Sequence, residues 1–266
     1  MKKKSYRIIA LIAALLLIIG LGWFANAFVG NPISKMLVKN TAEEYVAKTY
    51  AGTDYYIDEI YYSFKDGKYY VDVKSPGSID SKFSLSLNMN GTLRWDNYEY
   101  CVLGKQNTAD RLYMEYRKLV DTVMESPAFP FDSDIGFGDL QFNDAIEITK
   151  PGEIPEYNPE HYIDKSELVL DGFYDIAELG RKAGRIVLYV YDEVVTVERA
   201  SEILLEFKKL MDDGGVTFYA VDMVLESPRN EDGTRNSDAR VEVDEFLYED
   251  IYEEGLVERI KTANIE

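Results

Sequence analysis

A long run of apolar residues near the N-terminus is the first pattern in the chain. Residues 8–29 contain no charged side chain, and as a helix they extend about 33 Å, enough to cross a hydrocarbon core of roughly 30 Å. Four cations, all within residues 2–7, precede this run, and the next cation is Lys35. The pattern predicts a single-pass transmembrane helix. The positive-inside rule then places the N-terminus in the cytoplasm and everything after Gly30 on the extracellular side of the cell membrane.

A cleaved signal peptide is the alternative interpretation of this segment. Ala25, Asn26 and Ala27 have the small-x-small form of a cleavage site, and only about a dozen apolar residues precede Gly20. We favour an uncleaved anchor because the apolar character continues to Val29. Both interpretations place the rest of the chain on the same side of the membrane.

Helical and alternating patterns then predict a small domain over residues 31–104. Asn31-Pro32 is a favourable helix start and Gly52 a favourable helix end, with apolar residues at helical spacing between them. Four segments after this helix carry strand patterns, and Asp66-Gly67 between the first two is a strong hairpin signal. These strands are predicted at residues 55–64, 68–74, 83–89 and 93–103. A helix followed by an antiparallel meander is the expected architecture.

Residues 105–266 are predicted to form a second domain of mixed helices and strands. We expect helices beginning at Thr108, near residues 174–182, after a capping Thr196, and over residues 249–261. We expect a central strand at 185–191 and a hairpin formed by 216–226 and 240–247. A short strand is expected at 167–170, and an edge strand around 140–148 within a loop-rich stretch at 126–160. The chain is therefore predicted to be α+β, with a cytoplasmic tail and anchor at residues 1–30 and two small domains, each with helices packed on a mainly antiparallel sheet.

The two halves of the chain share a weak sequence similarity, which we call the echo. A Val-Asp pair precedes Ser-Pro at residues 71–76 and again at residues 221–228. Duplication of a helix-plus-sheet unit is one interpretation of this echo, and coincidence is the other.

The part of the chain that follows the anchor is strongly acidic. The formal net charge is −19, and the four N-terminal cations leave 25 cations against 48 acidic residues for the remainder. Such a surface is repelled by phosphate backbones, so nucleic acid is excluded as a favoured partner. The lone Cys101 rules out an intrachain disulfide, and its apolar neighbours predict a buried strand position.

Two long tracts carry a resemblance to a known family. The tract GNPISKMLVKNTAEEYVAKTYAGTDYYIDEIYYSFKDGKYYVDVKSP resembles the N-terminal domain of the YfjL-like family, which are small membrane-anchored proteins of Bacillus-type bacteria. The ending VEVDEFLYEDIYEEGLVERI is similar to the C-terminal domain of that family. The resemblance implies a fold and a membrane anchor, and it implies neither an activity nor catalytic residues. The N-terminal part also resembles the PepSY kind of extracellular module, which implies a binding or inhibitory role.

Motifs for catalysis, metal binding and nucleotide binding are missing from the sequence. The only histidine, His161, lies in a Pro-rich stretch and is expected to be a solvated loop residue. HExxH, CxxC and GxxxxGK[ST] patterns do not occur, and the acidic loop 230–238 lacks the glycine and the terminal glutamate of a calcium loop at the required positions. We therefore predict no cofactor, no metal site and no catalytic residue.

Tyrosine is the most unusual feature of the composition. The chain contains 21 tyrosines, and six lie on the predicted first hairpin: Tyr55, Tyr56, Tyr61, Tyr62, Tyr69 and Tyr70. Because adjacent strand residues point to opposite faces, each Tyr-Tyr pair sends one ring inward and one outward. The outward rings form a candidate binding face, and cross-strand packing within the sheet is the simpler alternative.

These observations favour a membrane-tethered extracytoplasmic binding or interaction protein. Its ligand is unknown. Residues 8–29 anchor the chain in the membrane, and an envelope protein that it regulates is a candidate partner. The alternative is a hydrolase acting on cell-envelope material through paired carboxylates, since 48 acidic residues make such pairs easy to form. A cleft with two buried carboxylates of opposed pKa shifts would favour the hydrolase, and an exposed tyrosine face would favour the binding protein.

Overall fold

The structure, a computed structural model, describes residues 2–143, 159–230, 233–234 and 236–264. The chain divides into two compact units, Met1–Asn107 and Thr108–Glu266. Both units combine helices with a mainly antiparallel sheet, so the predicted α+β class is confirmed.

The first unit contains two helices and a four-stranded antiparallel meander. Its elements are α1 (Lys2–Val29), α2 (Pro32–Thr49), β1 (Tyr56–Ser63), β2 (Lys68–Lys74), β3 (Lys82–Asn88) and β4 (Leu93–Asp96). The strands follow sequence order across the sheet. Helix α2 lies along β1, β2 and β3 and buries a stripe of small and branched residues that includes Val38, Ala42 and Val46. The capped helix and the Tyr-rich hairpin therefore form where the sequence predicts them.

The junction between α1 and α2 depends on two residues. Gly30 has φ +68°, a left-handed conformation that only glycine adopts at low cost, and this ends α1. Asn31 is extended and its Oδ1 accepts a hydrogen bond from the backbone N–H of Ser34 at 2.8 Å, which caps α2. Pro32 follows at the first helical position, where its missing N–H costs nothing.

The predicted strand at residues 93–103 is wrong in its second half. Strand β4 stops at Asp96, whose Oδ1 accepts from the backbone N–H of Tyr98 at 2.8 Å. The next side chain, Asn97, accepts from the N–H of Ser84 at 2.6 Å and takes the place of a strand partner. The chain then forms a π-helical turn, Glu99–Leu103, so Cys101 is a half-buried residue of that turn and not a buried strand residue.

The second unit builds a mixed sheet with helices on its buried face. Its elements are α3 (Gln106–Met124), β5 (Gly136–Leu140), β6 (Phe142–Asn143), β7 (Ile163–Asp164), α4 (Ile176–Ala183), β8 (Gly184–Tyr191), α5 (Val197–Asp213), β9 (Ala220–Glu226), β10 (Arg240–Leu247) and α6 (Leu256–Ala263). The main sheet has the order β10-β9-β8-β5; β8 and β9 are parallel and the other neighbours antiparallel. The predicted central strand is therefore β8. Thr196 caps α5 as predicted, accepting from the N–H of Arg199.

Three expected elements of the second unit are displaced. Helix α3 begins at Gln106, so the predicted cap Thr108 is a fully buried residue inside it. Strand β9 begins at Ala220, whereas the sequence predicts a start at residue 216. Helix α6 begins at Leu256, whereas the sequence predicts a start at residue 249; a short 3-10 turn at Tyr248–Asp250 precedes it.

Two further predictions concern the segment before β8. The edge strand is β5, which ends where the predicted strand 140–148 begins, and most of that prediction lies outside the described residues. The predicted strand at 167–170 is wrong, because Lys165–Glu167 forms a 3-10 turn. Asp164 stabilises that turn by accepting a hydrogen bond from the N–H of Ser166 at 2.8 Å.

Candidate functional site

The six tyrosines of the first hairpin divide between the two faces of its sheet. Tyr61 lies opposite Tyr70 and Tyr62 lies opposite Tyr69 in the register of β1 and β2. Tyr69 is 2% exposed, whereas Tyr61 is 42% exposed. The outward set is Tyr56, Tyr61 and Tyr70, and the inward set is Tyr55, Tyr62 and Tyr69.

The outward tyrosines belong to a row that crosses all four strands. Tyr61 on β1 pairs with Tyr70 on β2, Tyr70 with Ser86 on β3, and Ser86 with Trp95 on β4. The rings of Tyr61 and Tyr70 stack with centroids 5.6 Å apart and an interplanar angle of 19°. Ser86 is buried between its neighbours, and Trp95 is 52% exposed. We call these four residues the aromatic row; it presents large, rigid apolar area with a hydroxyl at one end and an indole N–H at the other.

Charged side chains flank the aromatic row. Asp66 at the hairpin turn accepts a hydrogen bond from the Tyr70 hydroxyl, which raises the pKa of Tyr70. Burial, followed by the charges of Asp72 and Glu59, raises the pKa of Tyr61. Both hydroxyls therefore stay protonated near neutral pH, and that of Tyr70 donates a hydrogen bond.

The next row of the same face is polar and internally paired. The Ser84 hydroxyl donates to Asp72 Oδ1 at 2.7 Å, and Lys74 Nζ lies 2.5 Å from Asp58 Oδ2. The Lys74 ammonium holds the pKa of Asp58 below its ordinary value. These groups surround the aromatic row with polar side chains, as expected for the rim of a contact surface.

The inward tyrosines attach the hairpin to the junction of α1 and α2. The Tyr69 hydroxyl accepts from the N–H of Asn31 at 2.8 Å and lies 3.0 Å from the carbonyl of the same residue. The Tyr62 hydroxyl donates to the carbonyl of Ala27 at 3.1 Å. Two of the six predicted binding-face residues therefore serve the packing of the first unit.

Tyr55 belongs to a different inward cluster at the opposite end of the sheet. Its ring meets Phe83 edge-to-face with centroids 5.1 Å apart, and Tyr50 and Tyr98 complete the group. Asp96 lies at the margin of this cluster, where its Oδ2 accepts from the hydroxyls of Tyr45 at 2.8 Å and Tyr50 at 2.6 Å. We assign this cluster to the stability of the first unit.

His161 is not the solvated loop residue that the sequence suggests. It is half-buried, and its ring stacks on Tyr219 with centroids 3.6 Å apart and an interplanar angle of 14°. The pair borders a shallow groove of about 400 Å³ that Arg181, Tyr248 and Glu249 also line. Among the described residues that line the groove, none forms a hydrogen bond with the His161 ring, whose contact with Tyr219 is by stacking.

Half-buried and exposed carboxylates cluster around Arg185 on the second sheet. Arg185 donates to both oxygens of Asp222, at 2.6 and 2.8 Å, and also to Asp244. Burial raises the pKa of Asp222 and that of Asp139, so the two acids shift in the same direction. A general acid and a general base need opposed shifts, which these two carboxylates do not have, and Arg185 joins Asp222 and Asp244 in an ion-pair network. Within the described residues there is also no group of three His, Cys, Asp or Glu side chains that could hold a metal ion.

Sequence reasoning did not identify Trp95 and Ser86 as part of the candidate face. The alternation of apolar and polar residues in β3 and β4 could have indicated them, because it places both on the face opposite Leu85 and Leu87. The register that aligns them with Tyr61 and Tyr70 depends on pairing between strands, which one strand's sequence does not contain.

Helix α1 is long and apolar enough to cross a membrane, as judged by length and composition, and it is the only such helix in the part of the chain that the structure describes. A signal sequence near an N-terminus has the same properties.

Comparison with known proteins concerns nearly the whole chain. Neither the curated proteins nor the solved structures gave a match. Two family models match: "YfjL-like, N-terminal domain" over residues 2–97 and "YfjL-like C-terminal domain" over residues 115–261. Because these two matches together include α1 and both four-stranded sheets and cover most of the 266 residues, the chain belongs to the YfjL-like family.

Proposed function

We propose that this protein is a membrane-tethered, extracytoplasmic binding protein that contacts another envelope protein through the aromatic row Tyr61, Tyr70, Ser86 and Trp95. The observation that carries the proposal is that row itself: three aromatic rings aligned across four strands, two of them more than two-fifths exposed. Aromatic side chains contribute most of the binding energy at protein interfaces because they bury large areas at low entropic cost.

The tether is argued from α1. Thirteen of residues 8–29 are Ile, Leu, Val or Phe, which together favour insertion by about 4–8 kcal/mol. The four cations before residue 8 support a cytoplasmic N-terminus. The aromatic row then faces the outside of the cell.

Retention of α1 is supported by the contacts around the small-x-small motif. Helix α1 continues through Ala27 to Val29 without a break. The carbonyl of Ala27 accepts a hydrogen bond from Tyr62, and Asn26 Oδ1 accepts one from the side chain of Asn31. Cleavage after Ala27 would separate the first unit from the helix that makes these contacts, so they favour an uncleaved anchor.

A protein partner fits this face better than nucleic acid does. The row adjacent to the aromatic rings contains Glu59 and Asp72, and the chain carries a net charge of −19. Phosphate backbones are repelled by such a surface. A partner with aromatic or aliphatic anchors and basic groups at its rim is complementary to it.

The binding proposal is tested by proximity labelling in the native membrane. The full-length chain is fused to a labelling enzyme and compared with the double variant Tyr61→Ala/Trp95→Ala. We expect at least one envelope protein whose enrichment falls about tenfold or more in the double variant, because two anchor rings are lost. The matched control is Tyr252→Ala, which removes a ring 49% exposed on the second unit and is expected to leave that enrichment unchanged.

The opposite result is also informative. If the double variant, folded by circular dichroism, labels the same proteins to the same extent as the unmodified chain, the aromatic row is not the contact surface. Orientation is tested separately by adding protease to intact cells stripped of their wall. Digestion of the C-terminal unit supports the proposed topology, and full protection contradicts it.

A further inference from the structure

The turn between β1 and β2 lies against the last turn of α1. The rings of Phe28 and Phe64 stack with centroids 5.8 Å apart and an interplanar angle of 24°. Phe28 in turn contacts Phe24, with centroids 4.8 Å apart, so three rings continue from the helix to the hairpin. The Tyr62 hydroxyl fixes the same contact through the carbonyl of Ala27. We call residues 64–67 the hairpin turn.

The depth of this contact follows from the length of α1. The uncharged run ends at Val29, and about 20 of its residues fill the hydrocarbon core. Ala27 and Phe28 therefore lie at the boundary between hydrocarbon and headgroups when α1 spans the bilayer. The headgroup layer is only about 5–8 Å thick on each side. A ring whose centroid is 5.8 Å from that of Phe28 lies inside or at the edge of that layer.

The side chains of the hairpin turn suit this layer. Phe64 is 58% exposed although it stacks on Phe28, so it presents an uncovered apolar surface. Lys65 is exposed beside it, and Lys68 follows at the start of β2. Asp66 lies between the two lysines and its pKa is lowered, chiefly by hydrogen bonds from Ser63 and Tyr70, so it stays anionic. Two cations against one anion leave residues 64–68 with one net positive charge that can meet lipid phosphates.

We propose that the hairpin turn is a membrane-contacting element: Phe64 lies in the interfacial region of the outer leaflet, beside the end of α1, with Lys65 and Lys68 at the level of the headgroup phosphates. This inference rests on the proposed tether, because it takes its depth from α1. Its consequence is that the first unit is held at two points on the bilayer and does not rotate freely about the Gly30 junction.

The opposite end of the same sheet offers a matched control. Ile79 lies in the connection between β2 and β3 and is 58% exposed, the same fraction as Phe64. Strand β2 has 7 residues and separates the two turns by about 23 Å. A lipid contact that depended on exposed apolar area alone would involve both residues, whereas the proposal involves only Phe64.

The test uses the full-length chain in phosphatidylcholine/phosphatidylglycerol vesicles. Single cysteines are introduced in a Cys101→Ser background as Phe64→Cys, Lys65→Cys, Ile79→Cys and Ile18→Cys, and each is labelled with an environment-sensitive fluorophore. Lys65→Cys keeps the Phe28–Phe64 stack and so reports the position of the turn if Phe64→Cys disturbs folding. Quenching is measured with lipids that carry the quencher near the headgroup and with lipids that carry it deep in the acyl chain.

We expect the probes at residues 64 and 65 to be quenched by the shallow lipid at least about threefold more than the probe at residue 79, because the interface is only a few ångströms deep. We expect the probe at residue 18 to be quenched most by the deep lipid. Strong quenching at 18 with equal quenching at 64, 65 and 79 overturns the inference and leaves the tether intact. No quenching at 18 overturns the tether itself. Protection of residue 64 by a second copy of the chain would appear as fluorophore self-quenching without lipid quenching, and also contradicts the inference.

Discussion

Asp96 shows at the residue scale how one carboxylate organises several aromatic side chains. Its Oδ2 accepts from the hydroxyls of Tyr45 and Tyr50, and its Oδ1 accepts from the backbone N–H of Tyr98. Burial, with the nearby charge of Asp96, raises the pKa of both tyrosines. Because 51 and 46 residues separate Asp96 from Tyr45 and Tyr50, no local pattern in the sequence predicts this acceptor.

Replacement of Asp96 is therefore expected to cost more than replacement of either partner. Asp96→Ala removes the shared acceptor of two half-buried hydroxyls and one N–H and should lower the free energy of unfolding by about 2–4 kcal/mol. Tyr45→Phe removes one hydrogen bond and should cost about 1 kcal/mol. Urea denaturation of the detergent-solubilised chain measures both values. Equal costs would show that Asp96 is not the common acceptor.

Asp139 leads to a pH prediction with a definite sign. Burial raises the pKa of Asp139 above its ordinary value, although Gln141, Arg185 and Arg117 oppose the shift. The folded chain then keeps this proton to higher pH than the unfolded chain does. The free energy of unfolding therefore falls as the pH rises from the pKa of Asp139 in the unfolded chain, about 4, through its raised pKa in the folded chain.

Asp139→Asn removes that titration and can still accept a hydrogen bond from Gln141 Nε2, which lies 2.7 Å from Asp139 Oδ2. We expect the melting temperature of the variant to exceed that of the unmodified chain by an amount that grows as the pH rises from about 4 to 7. Below about pH 4 the two melting temperatures should be equal. Asp58→Asn is a control of opposite sign, because Lys74 lowers the pKa of Asp58 and its contribution is lost as the pH falls. A pH-independent difference for Asp139→Asn would contradict the assignment.

The contact between β5 and α3 shows the limit of prediction at the element scale. The sequence predicts α3 and the branched stripe that includes Val120, because both follow a helical period. It does not predict that Gly136 and Gly138 are strand residues, since two glycines in a polar stretch indicate a loop. The structure explains them: a Cβ on Gly138 would meet Val120 and the buried ring of Tyr116. Tertiary packing, not strand propensity, selects glycine here.

Alanine substitutions at Gly138 and Gly136 are expected to differ in their cost, because the first glycine has rigid neighbours and the second a flexible one. Gly138→Ala should lower the free energy of unfolding by about 1–3 kcal/mol, because Val120 and Tyr116 are fully buried and cannot move aside. Gly136→Ala meets only the end of the Met124 side chain and Ser133, and the flexible thioether can shift. We expect its cost to be less than about 1 kcal/mol. Similar costs for the two variants, measured by chemical denaturation, would show that α3 does not pack on β5 through Gly138.

The elements that sequence reasoning misplaced share a physical cause. The strand predicted at 93–103 and the one predicted at 167–170 contain suitable apolar residues, and both are turned by side-chain acceptors, Asp96 and Asp164. Such local caps compete with strand pairing, and a polar residue among apolar ones is compatible with either outcome. Elements with strong periodicity and clear ends, such as α2 and α5, form as predicted because pattern and caps agree.

At the scale of the whole molecule, the echo between the two halves is best explained by coincidence. The first sheet is antiparallel throughout and follows sequence order. The second contains a parallel pair, β8 and β9, and its edge strand β5 precedes both in the sequence. Duplicated units keep their connectivity, and these two differ. In both units the Val-Asp pair lies within a strand and Ser-Pro follows the end of that strand, a similarity that needs no common origin.

In the attachment to the membrane that we propose, two contributions differ greatly in size. Helix α1 supplies about 4–8 kcal/mol from its 13 large apolar residues. Even complete burial of the Phe64 ring would supply only about 1.5–3 kcal/mol, and the acidic body, with 48 carboxylates, opposes binding to anionic lipid. We therefore expect Phe64→Ser to remain in the membrane fraction after a high-salt wash, whereas a chain that begins at Asn31 should be found in the supernatant. Fractionation of cells followed by immunoblotting measures both. If Phe64→Ser were released as completely as the shortened chain, α1 alone would not be a sufficient anchor, and retention in the membrane would require the hairpin turn as well.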